Sequence, residues 1–196
     1  YNLAGNPYPS PIDWKAEPGW TRTNLVDNNS GYDFSIFSQT ANNYGVYNSS
    51  ALGDNGTNGV TRYIPVGQGF MVKAGSAGNL TMTNAVRVAQ NPAFLKSAGE
   101  VQNILSLKAI SALQGWSDEI IVEFGHTGDL GGAAKMFSFD ADAPSLYTVK
   151  DNSKYSIDFR GEAGPVSIPL YFTPGLDGDF TLEAARLESF TPGSQI

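Results

Sequence analysis

Aromatic rings set among amides and hydroxyls are the residues of this sequence best suited to recognition chemistry. Tyr8, Trp14, Trp20, Tyr32, Tyr44 and Tyr47 all fall in the first quarter of the chain, interleaved with Asn, Ser, Thr and Gly. A flat ring offers its face to the CH groups of a sugar, while neighbouring amides and hydroxyls read the sugar's own hydroxyls. Tyr8, Trp20, Tyr32, Tyr44 and Tyr47 are therefore the candidate ligand-binding set, and a polysaccharide or surface glycan is the partner chemistry they fit. Against this stands the ordinary reading, in which the tryptophans fill a core and the tyrosines cap its rim.

Two acidic pairs offer a second chemistry. Asp140 and Asp142 lie in "FDADAP", and Asp177 and Asp179 in "GLDGDF". Calcium takes six to eight oxygens, often from such Asp- and Gly-rich stretches, so these four are candidate calcium ligands. Neither stretch has the full EF-hand pattern, and Asp in a turn is more often there to satisfy local amides. His126, in "FGHTGD", is the only histidine, and there is no cysteine. That excludes a multi-histidine zinc centre, a Cys-His dyad and a disulfide framework. No Gly-x-Ser-x-Gly elbow and no phosphate-cradling glycine loop is present. Two carboxylates could serve a glycosidase, which keeps an enzyme fragment as the third reading behind a binding module and a structural spacer.

These residues must be positioned by strands. The 196 residues include 22 glycines and 11 prolines, a content that favours many turns over long helices. "EIIVEF" places Ile120, Val122 and Phe124 on one face, and "NILSLKA" aligns Leu105, Leu107 and Ala109. "VSIPLYF" predicts an inward row of Val166, Ile168, Leu170 and Phe172. Pro169 has no N–H to give a ladder, which puts that strand at an edge or on a bulge. "DFTLEA" predicts Phe180 and Leu182 on one face, and "YDFSIF", "GFMVKA", "LTMT" and "VRV" are shorter strands. "PGLDG", "GDLGG" and "GDNGTNG" supply turn chemistry between them. The expected fold is all-β, an antiparallel sandwich or jelly roll. A short helical pattern over "NPAFLKSAGE" suggests two packed units, residues 1–96 and 97–196.

The opening "GNPYPSPIDW" reads as a stiff arm. Pro7, Pro9 and Pro11 fix φ and bias their neighbours to extended geometry. Such an arm can join a sheet only at an edge. It delivers Ile12 and Trp14 to one face and Asp13 to the other, and the expectation is a buried Trp14 and an exposed Tyr8.

Charge narrows the partners further. Nineteen acids against twelve bases give a formal charge of -7 with no basic run, which disfavours nucleic acid and anionic lipid. No stretch approaches the roughly twenty apolar residues of a membrane span. There is no signal-peptide pattern, and both ends read as cuts in a longer polypeptide, which makes neighbouring domains of the same chain expected partners.

Four motifs in order carry a family resemblance. "YNLAGNPYPSPIDW", "IPVGQGFMVKA" (Ile64 to Ala74), "GWSDEIIVEFGHTGDLGGAAKMFSFDADAPSLYTV" and "IPLYFTPGLDGDFTLEA" resemble segments that recur in large surface and secreted proteins of Bacteroidetes exported by the type IX route. The resemblance implies an extracellular β-sandwich region lying ahead of a C-terminal sorting domain. One departure is "GGAAKMFS", where the family carries an acidic and tyrosine-bearing stretch. The reading that results is a non-catalytic extracellular binding module for polysaccharide. The alternative is a spacer that presents neighbouring domains.

Overall fold

The computed structural model describes residues 1–27, 31–89, 103–112, 115–127, 131–161 and 166–190. The helical pattern over 91–100, the boundary near 97 and most of "GDLGG" lie outside these residues. What is described is all-β. Two sheets carry the architecture, with two short two-stranded ladders beside them.

The first sheet has the order β1-β7-β4-β5, built from β1 (Asn2–Gly5), β4 (Asp33–Ser38), β5 (Asn43–Asn48) and β7 (Gly69–Val72). β1 sits at its edge, as the proline-rich continuation requires. After the prolines the chain forms β2 (Ile12–Asp13), paired with β6 (Tyr63–Ile64), and then β3 (Trp20–Thr21), paired with β8 (Thr81–Met82). "VRV" forms no strand; Asn84–Val86 is a 3-10 turn capped by the Thr83 side chain.

The second sheet contains β9 (Ile104–Ser111), β10 (Ser117–Phe124), β11 (Gly132–Ala134), β12 (Ser145–Lys150), β13 (Ser153–Arg160), β14 (Leu170–Thr173) and β15 (Phe180–Ala185). Its order is β14-β12-β13-β10-β9-β15, with β11 on β13. β10 and β13 are parallel, whereas the other pairings are antiparallel. The sheet curls, and Leu105, Leu107, Ala109, Ile120, Val122, Phe124 and Leu146 pack together within it, as the alternation in β9 and β10 predicts. Phe172 on β14 and Phe180 on β15 meet edge to face at 5.0 Å.

β14 is an edge strand, as Pro169 requires, but it is shorter than the pattern suggests. It begins only after the proline, and Val166, Leu170 and Phe172 are exposed, while Ile168 packs against the apolar cluster. Leu182 on β15 is likewise exposed. A strand at a sheet end has neighbours on one side only, so alternation there no longer guarantees burial.

One main core joins the two sheets. It runs from Ile12 and Trp14 through Phe34, Val46, Tyr47, Phe70 and Val86 to Ile104, Ile121, Ile157 and Phe159. Hydrogen bonds bind the same seam. The Asn43 amide donates to the carbonyls of Ser117 and Pro144, and the Ala134 N–H donates to Asp33 Oδ2 at 2.9 Å. Gly45 is required here: a Cβ would stand 2.4 Å from the Thr57 carbonyl, so only glycine lets the 3-10 turn Thr57–Gly59 rest on β5. No helix among the described residues is long and apolar enough to cross a membrane.

Candidate functional site

The five tyrosine and tryptophan candidates do not share one surface. Trp20 and Tyr32 are half-buried around Arg22, whose guanidinium lies 5.8 and 5.1 Å from their ring centres and 4.9 Å from that of Trp14. Burial holds the Arg22 pKa below its usual range, and Glu17, 2.7 Å away, opposes that shift. The cation thus occupies ring faces that a sugar would need. Tyr8 is half-buried rather than exposed, because Arg87 covers it at 5.6 Å and its ring packs on the core. Tyr47 is a core residue with no accessible surface, its hydroxyl donating to the Gly53 carbonyl at 2.9 Å. It therefore presents no face to a ligand.

Tyr44 is different. It stands directly across from Phe37 in the β4–β5 ladder, and the rings meet at 5.4 Å. On its other side Phe139 approaches at 5.7 Å. Phe139 is 77% exposed and Phe37 is 44% exposed. Asn43 fixes this meeting, because its amide holds the end of β5 against Pro144 at the start of β12.

A second arm of rings starts two residues away. Phe137 meets Tyr147 on β12 at 5.6 Å, and Tyr147 is paired across the ladder with Tyr171 on β14 at 5.6 Å with planes 8° apart. Lys154 Nζ lies 5.1 Å from Phe137 and 4.9 Å from Tyr147. Such exposed cation–π contacts contribute about 0.5–1 kcal/mol each. Met136, between β11 and these rings, is buried in the core. Phe137 and Phe139 both face outward, and two residues of chain span at most about 7 Å. Phe37, Tyr44 and Phe139 form one ring cluster and Phe137, Tyr147 and Tyr171 a second, and the two adjoin along the chain at Phe137–Phe139; together they make up an aromatic band. Isolated exposed apolar residues are ordinary, whereas rings grouped on one surface in this way are less so.

The acidic pairs lie beside the band. Asp140 and Asp142 follow Phe139, and Asp140 Oδ1 accepts the Asp142 N–H at 3.0 Å. Asp177 and Asp179 sit in the exposed turn after β14. Gly175, with φ of 76°, brings that turn against the first pair, where a Cβ would lie 2.3 Å from the Asp142 carbonyl. Among the described residues no three acidic or histidine side chains converge on one point. Both pairs stand as surface charge at the rim of the rings.

A separate ionic cluster lies under the loop Ala51–Asp54. Asp13 takes Arg62 through two nitrogens, and Arg62 reaches Asp54 at 3.0 Å. The Asp13 hydrogen bonds raise the pKa of Arg62. Lys15 donates to the Ala51 carbonyl, and burial pushes its pKa down. Buried Glu123 accepts the Leu52 N–H at 2.8 Å and shares the same oxygen with His126 at 3.0 Å. The His126 ring stacks on Phe159 at 4.0 Å. These groups tie the loop to β10, a structural use of the histidine.

Tyr47 yields an alkaline prediction. Burial raises its pKa far above the usual phenol value. Below about pH 10 the phenol is neutral in both folded and unfolded chains, so the native state keeps its full advantage. Above that pH the unfolded phenol ionises while the folded one does not, so stability falls as pH rises. Burial also raises Tyr155. Absorbance at 295 nm should show Tyr47 ionising only as the chain unfolds, and Tyr47→Phe should flatten the alkaline loss of stability.

The sequence directed attention to the first quarter and missed Phe37, Phe137, Phe139, Tyr147 and Tyr171. The readable signal was "MFSF", where alternation around a buried Met136 sets two phenylalanines outward. No curated protein and no solved structure matches the chain. A family of proteins described as "Domain of unknown function (DUF8693)" matches residues 1–193, and the chain belongs to it.

Proposed function

We propose that this domain is a non-catalytic, extracellular binding module that lays a polysaccharide along the aromatic band. The observation that carries the reading is the pair of adjoining surface ring clusters, Phe37 with Tyr44 and Phe139, and Phe137 with Tyr147 and Tyr171. Gln39, Thr40 and Asn42 in the β4–β5 turn and Ser138 beside Phe139 supply amide and hydroxyl partners nearby. The extracellular setting rests on the four ordered motifs that resemble type IX-exported proteins. One shallow site of this kind corresponds to micromolar-to-millimolar affinity, roughly -4 to -8 kcal/mol.

The test is retention on a panel of soluble and insoluble neutral polysaccharides. Phe139→Ala and Tyr171→Ala should each weaken binding by roughly tenfold, the usual cost of truncating an aromatic anchor. Val66→Ser, an exposed change away from the band, should leave it unaltered. No retention on any glycan would leave a spacer that presents neighbouring domains as the better account.

A further inference from the structure

Away from the band, the proline arm forms one wall of an open groove of about 490 Å3 lined by Pro9, Ser10, Pro11, Asn84, Arg87 and Val88. Arg87 is held there by three independent constraints. Its backbone is tied on both sides, with the Arg87 N–H donating to Asn84 and the Val88 N–H donating to Pro11. Its Nε donates to Ser10 Oγ at 3.1 Å, and its guanidinium lies over the Tyr8 ring at 5.6 Å.

Those contacts leave both terminal amino groups without a partner among the described residues. Among the described residues Arg22, Arg62 and Arg160 each have a carboxylate within 3.0 Å, whereas Arg87 and Arg186 have none. An arginine fixed through Nε and its ring face presents two parallel N–H donors, the geometry that receives a carboxylate in bidentate fashion. A peptide docking as an added strand would find no donor at Pro9 or Pro11. A sugar needs only side-chain partners and apolar CH contact, which Arg87, Asn84 and the proline rings provide.

We propose that this groove is a second binding site, one that takes the carboxylate of a uronic-acid sugar on Arg87. It uses no residue of the aromatic band and stands whether or not the band binds neutral polysaccharide.

The experiment is a titration of the whole chain with oligogalacturonate, followed by the Arg Nε–H signals in NMR and by calorimetry. Fully methyl-esterified oligogalacturonate, inorganic phosphate and a glutamate-rich peptide are the comparison ligands. Oligogalacturonate should shift the Arg87 signal, and Arg87→Gln should weaken its binding at least about tenfold, as loss of a charged hydrogen-bonding partner does. Arg87→Lys keeps the charge without the fork and should also weaken it. Equal binding of the methyl ester, or unchanged affinity in a folded Arg87→Gln, overturns the site. Tighter binding of phosphate or of the peptide overturns its assignment to a sugar.

Discussion

Asp118→Ala should destabilise this protein by about 3–5 kcal/mol, the cost of leaving one member of a buried ion pair without the other. Asp118 has no exposed surface and pairs with Lys135, whose side chain is 1% exposed. The same carboxylate accepts the Leu146 N–H at 2.6 Å and the Asn58 amide at 3.0 Å. Three segments therefore converge on one side chain: the turn under β5, the chain after β11 and the start of β12. Truncation strands a lysine ammonium and two N–H donors at once. For a chain of this size the expected drop in Tm is on the order of 10 °C, measurable by calorimetry. Asp118→Ala with Lys135→Met should be more stable than Asp118→Ala alone, because the second change removes the stranded charge. If the double variant is no better than the single one, the pair does not carry the effect.

The same position shows what local sequence can and cannot convey. "SDEIIVEF" announces a strand, and its alternation assigns Ile120 and Val122 to an apolar face shared with Leu105, Leu107 and Ala109. That inference needs only the two-residue period of a strand. The partners of Asp118 come from Asn58, Lys135 and Leu146, and no local pattern announces them. Tyr44 and Tyr47 make the same point within β5. Both sit among polar residues, but β5 is covered by β4 on one side and by the Thr57–Gly59 turn and the second sheet on the other, so Tyr47 is enclosed. Tyr44 stays near the surface, where Phe139 meets it from ninety-five positions along the chain. Ring faces were equally illegible, since Arg22 and Arg87 cover Trp20, Tyr32 and Tyr8 only after folding. The proline arm, by contrast, was readable, because its constraint is covalent.

Trp14→Ala should rank with Asp118→Ala, costing about 3–5 kcal/mol as large aromatic truncations in cores do. Trp14 has no exposed surface and packs edge-on against Trp20 at 4.7 Å, Phe34 at 5.2 Å and Phe70 at 5.9 Å. Its indole N–H donates to the Tyr32 carbonyl at 2.8 Å. Its carbonyl accepts from Arg22, so the arm and the arginine cage share one anchor. Alanine would open a cavity between the first sheet and the β3–β8 ladder and remove one of the ring faces that hold the cation. Urea denaturation is the direct measurement, and a loss below about 1 kcal/mol would place Trp14 outside the core. Trp14→Phe keeps a ring in the cavity and should cost less. That variant also separates architecture from recognition: folded Trp14→Phe should bind polysaccharide as the unaltered protein does, because Trp14 does not belong to the band. Lost binding in a folded Trp14→Phe would shift the recognition surface from Phe139 and Tyr171 to the cage around Arg22.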